Sequence, residues 1–282
     1  MVRRQRRADD ASLRDQRDAH ARLRGSEALS GRRDREARRE ERLREDEQAG
    51  AAGRRQRLIK LGSAAGFLAL VAIAVVVVVS GSQSGGDPNN ISDAQAVGQG
   101  LSGIPQHGLV LGDPGAKVTL LEFGDLQCPV CKGYSEEVLP QVIENQVRSG
   151  EAKVNFGNYT IIGPESTPAG AAAIAAGEQG RGWNFIELFY RNQGAEDSGY
   201  VTNAFLTAIA RGAGVPNIAK WNAVRKSKRV LSEVAATTAE AEQLGFTGTP
   251  SFAVTGPGVT GVEALGTPGS SGDIESAISS AS

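Results

Sequence analysis

The stretch that most constrains this chain is an apolar run ending on two cysteines spaced two residues apart: Leu120-Leu121-Glu122-Phe123-Gly124-Asp125-Leu126-Gln127-Cys128-Pro129-Val130-Cys131. Val118 to Phe123 has the composition of a central parallel strand buried on both faces, and the Cys-x-x-Cys that follows can open a helix. Cys128 and Cys131 are the only cysteines in 282 residues.

Three kinds of chemistry use such a pair. A structural zinc site needs four ligands, and the only histidines are His20, in a charged segment, and His107, well upstream. A structural staple works by closing a long loop in the unfolded chain, whereas a Cys128 to Cys131 bridge closes a very short one. Cycling between dithiol and disulfide suits the spacing best. One thiol sits exposed at a helix N-terminus and favours the thiolate, while the other waits one turn inside to resolve a mixed disulfide. Cys128 is therefore the expected nucleophile and Cys131 its resolving partner. Pro129 fits the first helical turn, where its missing N–H costs nothing, and Val130 is an apolar residue that adds no charge or hydrogen bond to the thiolate.

Glu-Phe-x-Asp-x-x-Cys-Pro-x-Cys, preceded by Leu111-Gly112-Asp113-Pro114 and a Val-rich strand, resembles the DsbA-like branch of the thioredoxin superfamily, in particular its membrane-anchored actinobacterial type. The resemblance runs from about Gly108 to the C-terminus and implies a thioredoxin-like α/β fold with a helical insertion. It implies that Glu122 is a buried acid beneath the active site that exchanges a proton with Cys131. It also places Thr249-Pro250 at the active-site cis-proline, where the backbone of Thr249 pairs with an extended substrate peptide. Taken from the residues alone, Glu122 is either a charged strand end or, with Leu120, Leu121 and Phe123 around it, a buried group. The implied activity is oxidation of exported, unfolded polypeptides with reduced cysteines. Reoxidation falls to a membrane quinone-linked partner of the DsbB or vitamin-K-epoxide-reductase type. No cofactor, metal or nucleic acid is called for. A disulfide reductase or isomerase, and a non-catalytic thiol-based metal or peptide-holding module, are the competing readings.

Composition divides the rest of the chain. The net charge is −1, yet residues 1–60 hold 19 Arg and Lys against 12 Asp and Glu, a balance of +7 that leaves −8 for the remainder. Residues 1–57 have too few large apolar side chains to bury a core and read as a charged cytoplasmic tail. Leu61 to Ser80 carries no charge, and at about 1.5 Å per residue it spans the roughly 30 Å hydrocarbon core. With Arg54, Arg55, Arg57 and Lys60 on its N-terminal flank, residues 58–80 read as a membrane anchor that leaves the C-terminal domain outside the cytoplasm, beside membrane lipid. Residues 81–107, rich in Gly, Ser, Asn and Gln, read as a flexible linker.

Residues 108–282 suffice for one domain. Strands are expected at Lys117 to Phe123, around Val154, Phe156 and Asn158, at Ser251 to Val254 and at Val262 to Leu265, with a helix from Cys128 to about Val147 interrupted near Pro140. A helical insertion of about 163–245, carrying Trp183, Ile186, Phe189, Tyr190, Phe205, Ile209, Trp221 and Val230 on its inner faces, separates the second and third strands. A last helix covers Asp273 to Ala281.

Overall fold

The computed structural model of the protein describes residues 85–282. The expected tail, and the expected anchor at 58–80, lie outside the described residues. Among those described, no helix is long and apolar enough to cross a membrane.

The described residues build one six-stranded mixed sheet. Strands β1 (Gln106–His107), β2 (Val110–Leu111), β3 (Val118–Gly124), β4 (Ala152–Asn158), β5 (Ser251–Thr255) and β6 (Glu263–Gly266) lie in the order β1-β2-β4-β3-β5-β6. β3 and β4 are parallel, the remaining pairs antiparallel. Because side chains alternate along a strand, β3 faces two ways. Leu120 and Glu122 share a face with Val154, Phe156, Phe252 and Val254, while Leu121 and Phe123 point to the other side.

The first face carries the main core, closed by α2 (Pro129–Glu137), α3 (Leu139–Val142), α5 (Gly182–Arg191) and the C-terminal α9 (Ser271–Ala281). On the second face, Phe123, Tyr159, Ala253 and Phe246 form a small separate cluster with Ala241 of α8 (Lys228–Gln243). The expected helix from Cys128 to Val147 is present in three pieces: α2, α3 and a π-helical turn at Ile143–Val147. The first break falls at Val138, where Pro140 has no N–H for the carbonyl of Glu136 and its ring crowds that carbonyl.

Between β4 and β5 the insertion consists of α4 (Ser166–Gly177), α5, α6 (Asn203–Gly212), α7 (Ile218–Val224) and α8. Thr202, Asn217 and Ser227 cap α6, α7 and α8 by accepting the N–H three residues on. Trp183, Phe189, Tyr190, Phe205, Trp221 and Val230 are fully buried, as their spacing predicts.

The linker reading of 81–107 fails for its described part. Residues 94–100 form helix α1, and Val97, Leu101 and Ile104 are buried in the main core. Gly86 N–H donates to Asn192 O at 2.8 Å, and the Arg148 guanidinium donates to Gly100 O at 2.6 Å. Ile91, Ala94, Val97, Leu101 and Ile104 recur every three or four residues, and that spacing outweighs the polar composition between them. The domain therefore begins well before residue 108.

Candidate active site

The turn from β3 into α2 is set by one carboxylate. Asp125 Oδ1 accepts the N–H of Gln127 at 2.9 Å, while Oδ2 accepts those of Ile161 and Ile162 at 2.9 and 3.0 Å. Asp125 thereby shapes the turn and ties it to the segment after β4. The Asp125 carbonyl accepts the Cys128 N–H at 2.9 Å, and the chain enters α2 with Cys128 as the residue capping its N-terminus and Pro129 in the first turn.

In that capping position the Cys128 sulfur accepts the N–H of Cys131 at 3.3 Å, a donor that the helix leaves unpaired. The Cys128 thiol is in turn 3.4 Å from the carbonyl oxygen of Thr249. Its pKa is lowered, first by the hydrogen bond from the Cys131 thiol, then by Thr249 and the N–H groups of Cys131 and Val130, against a burial effect that raises it. Cys131 goes the other way, well above the ordinary thiol range, because it is fully buried and next to Cys128. The two thiols of one motif are thus divided into a nucleophile and a proton-holding partner. Cys128 was expected to be exposed; it is 4 % exposed, because the Thr249–Pro250 segment covers it.

Thr249–Pro250 is a cis peptide. Pro250 is buried directly ahead of β5, and its carbonyl accepts the Thr267 hydroxyl at 2.7 Å, so the loop is fastened at the sheet side while Thr249 faces the sulfur.

Glu122 lies under the cysteine helix and is 1 % exposed, which removes the strand-end reading. Its neighbours across the sheet are Phe156 on β4 and Phe252 on β5. The Tyr134 ring stands 5.0 Å from that of Phe252, and the Tyr190 ring 6.5 Å from that of Phe156. Inside this aromatic enclosure neither carboxyl oxygen has a hydrogen-bond partner among the described residues. Burial, with a smaller push from the charge of Glu187, raises its pKa to about 8. Glu122 can therefore hold a proton near neutral pH. The Tyr190 phenol on the wall of this compartment has its own pKa raised, first by burial and then by the charges of Cys131, Glu122, Cys128 and Asp125. Gly124 lets that compartment close: a Cβ there meets the Phe156 ring at 2.8 Å and the Tyr190 hydroxyl at 3.0 Å.

Sequence reasoning missed the polar ties from the insertion. Gln193 Nε2 donates to the carbonyls of Leu126 and Cys128 at 2.7 and 3.2 Å. Gln127, immediately before the first cysteine, donates to Ser166 at 3.0 Å and accepts the Asp197 N–H at 3.0 Å. The Tyr190 hydroxyl donates to Asp125 O at 3.3 Å. Gln193 carries no signal in the sequence, since a glutamine after an amphipathic helix reads as solvated surface.

A parallel strand–helix–strand unit with an N-terminal dithiol on its helix, a cis-proline facing the reactive sulfur and a helical insertion defines a DsbA-like thiol:disulfide oxidoreductase of the thioredoxin superfamily. The Thioredoxin family matches residues 105–265, more than half of the sequence, and the chain belongs to that family. Its relatives include the probable disulfide bond formation protein D of Bacillus cereus (strain ATCC 14579) and that of Bacillus anthracis. They are 29 % and 30 % identical over 150 residues, which is 52 % of this chain and 69 % of each relative. The crystal structure of oxidised BdbD from Bacillus subtilis shares the fold with a TM-score of 0.54 at 22 % identity, over 63 % of this chain and 95 % of that one.

Proposed function

We propose that this protein is a membrane-anchored oxidase that introduces disulfides into exported polypeptides, its domain outside the cytoplasm and its N-terminus inside. The observation that carries the oxidative direction is the Cys128 sulfur, which accepts a helix N-terminal N–H and has a lowered pKa. A thiolate stabilised in the reduced form makes the corresponding disulfide a stronger oxidant. Support for the compartment comes from the basic flank at Arg54 to Lys60 and from the disulfide-permissive exterior to which it directs the domain.

In this reading a substrate thiolate, aligned along Thr249, attacks Cys128 Sγ. The Cys128–Cys131 bond breaks, and Cys131 leaves as a thiolate that takes a proton from Glu122. A second substrate thiolate then displaces Cys128, forming the substrate disulfide and leaving the enzyme dithiol. A quinone-linked membrane partner of the DsbB or vitamin-K-epoxide-reductase type returns the dithiol to the disulfide. Held by the same membrane, the two encounter each other readily.

Labelling in living cells tests both direction and topology. A membrane-impermeant maleimide is expected to modify Cys128 only after an impermeant reductant is added, and Cys131→Ala is expected to accumulate mixed disulfides with exported proteins. Immediate labelling without reductant means a dithiol steady state and favours a reductase or isomerase. No labelling after reduction overturns the orientation.

A further inference from the structure

Beside Glu122, the compartment below the cysteine helix holds a second acid. Glu187 of α5 is 6 % exposed, and its Oε1 accepts the hydroxyl of Ser135 at 3.0 Å. Ser135, itself 1 % exposed, is four residues after Cys131 on α2 and therefore one helical turn from it on the same face. On α5, Trp183 and Tyr190 stand four residues before and three after Glu187, and both rings lie edge-on to Phe156, the β4 neighbour of Glu122. Glu187 is thus on the side of α5 that closes the Glu122 enclosure. No salt bridge neutralises it among the described residues.

Resting on the reading of Glu122 as the proton donor to Cys131, we infer that Glu187 is the outer station of that proton path, reloading Glu122 from the solvent side along the α2–α5 interface. The step balances with the thiol exchange. The incoming thiolate forms a bond to Cys128 Sγ, and the Cys128–Cys131 bond breaks with its electron pair on Cys131. Glu122 gives its proton to Cys131, Glu187 gives one to Glu122 through water, and solvent reprotonates Glu187. In reoxidation the same protons travel outward.

The surroundings suit the role. Acting on or acted on by Glu187 are Glu122 from β3, Ser135 and Glu136 from α2, and Arg191 from its own helix. Glu187 is raised to about 7, first by burial and also by Glu136, while Ser135 and Arg191 lower it. Glu136, half-buried, is in turn acted on by Lys132, Arg191, Asp93 and Glu137, which brings the path to the outer rim of the interface. Two buried acids, one raised to about 7 and the other to about 8, with the charge of Glu187 lifting Glu122, share protons easily.

The test uses purified full-length protein, oxidised, mixed with a peptide carrying one reduced cysteine, and follows mixed-disulfide formation by acid quench between pH 5 and 9. Glu122→Gln is expected to slow the step that releases Cys131. Glu187→Gln is expected to slow it about tenfold near pH 7 and to move the remaining pH midpoint acidward, since the charge that lifts Glu122 is gone. The Glu122→Gln/Glu187→Gln double variant is expected to be no slower than Glu122→Gln, because stations in series do not multiply. Ser135→Ala, which keeps both acids, is expected to move the Glu187 midpoint alkaline by removing the hydrogen bond that favours the Glu187 carboxylate. A slow Glu122→Gln beside a Glu187→Gln with wild-type rate and midpoint overturns this inference alone, as does a double variant whose effects multiply. A Glu122→Gln protein with wild-type kinetics overturns the reading of Glu122, and this inference with it.

Discussion

Glu122 and Asp125 stand three residues apart and are both fully buried carboxyls, yet the chain treats them in opposite ways. Asp125 sits where the strand becomes a turn and receives three backbone N–H groups. Glu122 sits mid-strand, where the ladder consumes every neighbouring N–H, and receives none. Burial alone does not say what a carboxyl does; the supply of donors decides. With donors, Asp125 is a clamp that fixes the cysteine turn. Without them, Glu122 is a proton store below it.

The largest effect that can break this contrast is the dependence of stability on pH. The folded pKa of Glu122 is about 8 against an ordinary carboxyl value of 4.5. In that window the folded protein holds a proton that the unfolded chain has released. The stabilisation is fully present below the unfolded value and is lost as pH rises through the folded one, on the order of 5 kcal/mol. Glu187 adds in the same sense, with a value of about 7. Urea unfolding of the oxidised protein, in which neither cysteine titrates, is expected to show this decline, and Glu122→Leu to flatten much of it. An undiminished slope in Glu122→Leu shows that the carboxyl is not the store.

Asp125→Ala is expected to cost less, about 3 kcal/mol, because it strands donors at both the cysteine turn and the segment after β4. The same urea unfolding measures it, and a loss within experimental error of zero refutes the clamp. Gln193→Leu is expected to cost about 2 kcal/mol by leaving the carbonyls of Leu126 and Cys128 without that donor. It sharpens the comparison by asking whether the insertion supports the turn independently of Asp125. If it does, the double variant loses the sum of the two; if the ties act as one network, it loses measurably less.

Much of the fold was legible because its signals are local. The strand from 118, the dithiol at its end, the Pro140 interruption, and the buried aromatic spacing of the insertion each follow from periodicity or from the chemistry of one residue. The segment 94–107 reads as a linker because polar residues and Gly separate its few apolar ones, which recur only every three or four residues through the helix and the turn after it. Exposure of Cys128 was misjudged for a different reason: its cover, Thr249–Pro250, arrives from more than a hundred residues away.

Consecutive residues were enough to reveal the reactive pair, its position between a strand and a helix, and the identity of the residue six places before it. Helix direction and cysteine spacing are properties of consecutive residues, so they needed no fold to be read. The fold alone settled that Cys128 lies covered by Thr249–Pro250, that no donor among the described residues reaches Glu122, and that Glu187 and Gln193 of the insertion come to lie against the site. These depend on desolvation and on partners distant in the chain, and both quantities exist only once β3, α2 and α5 have packed together.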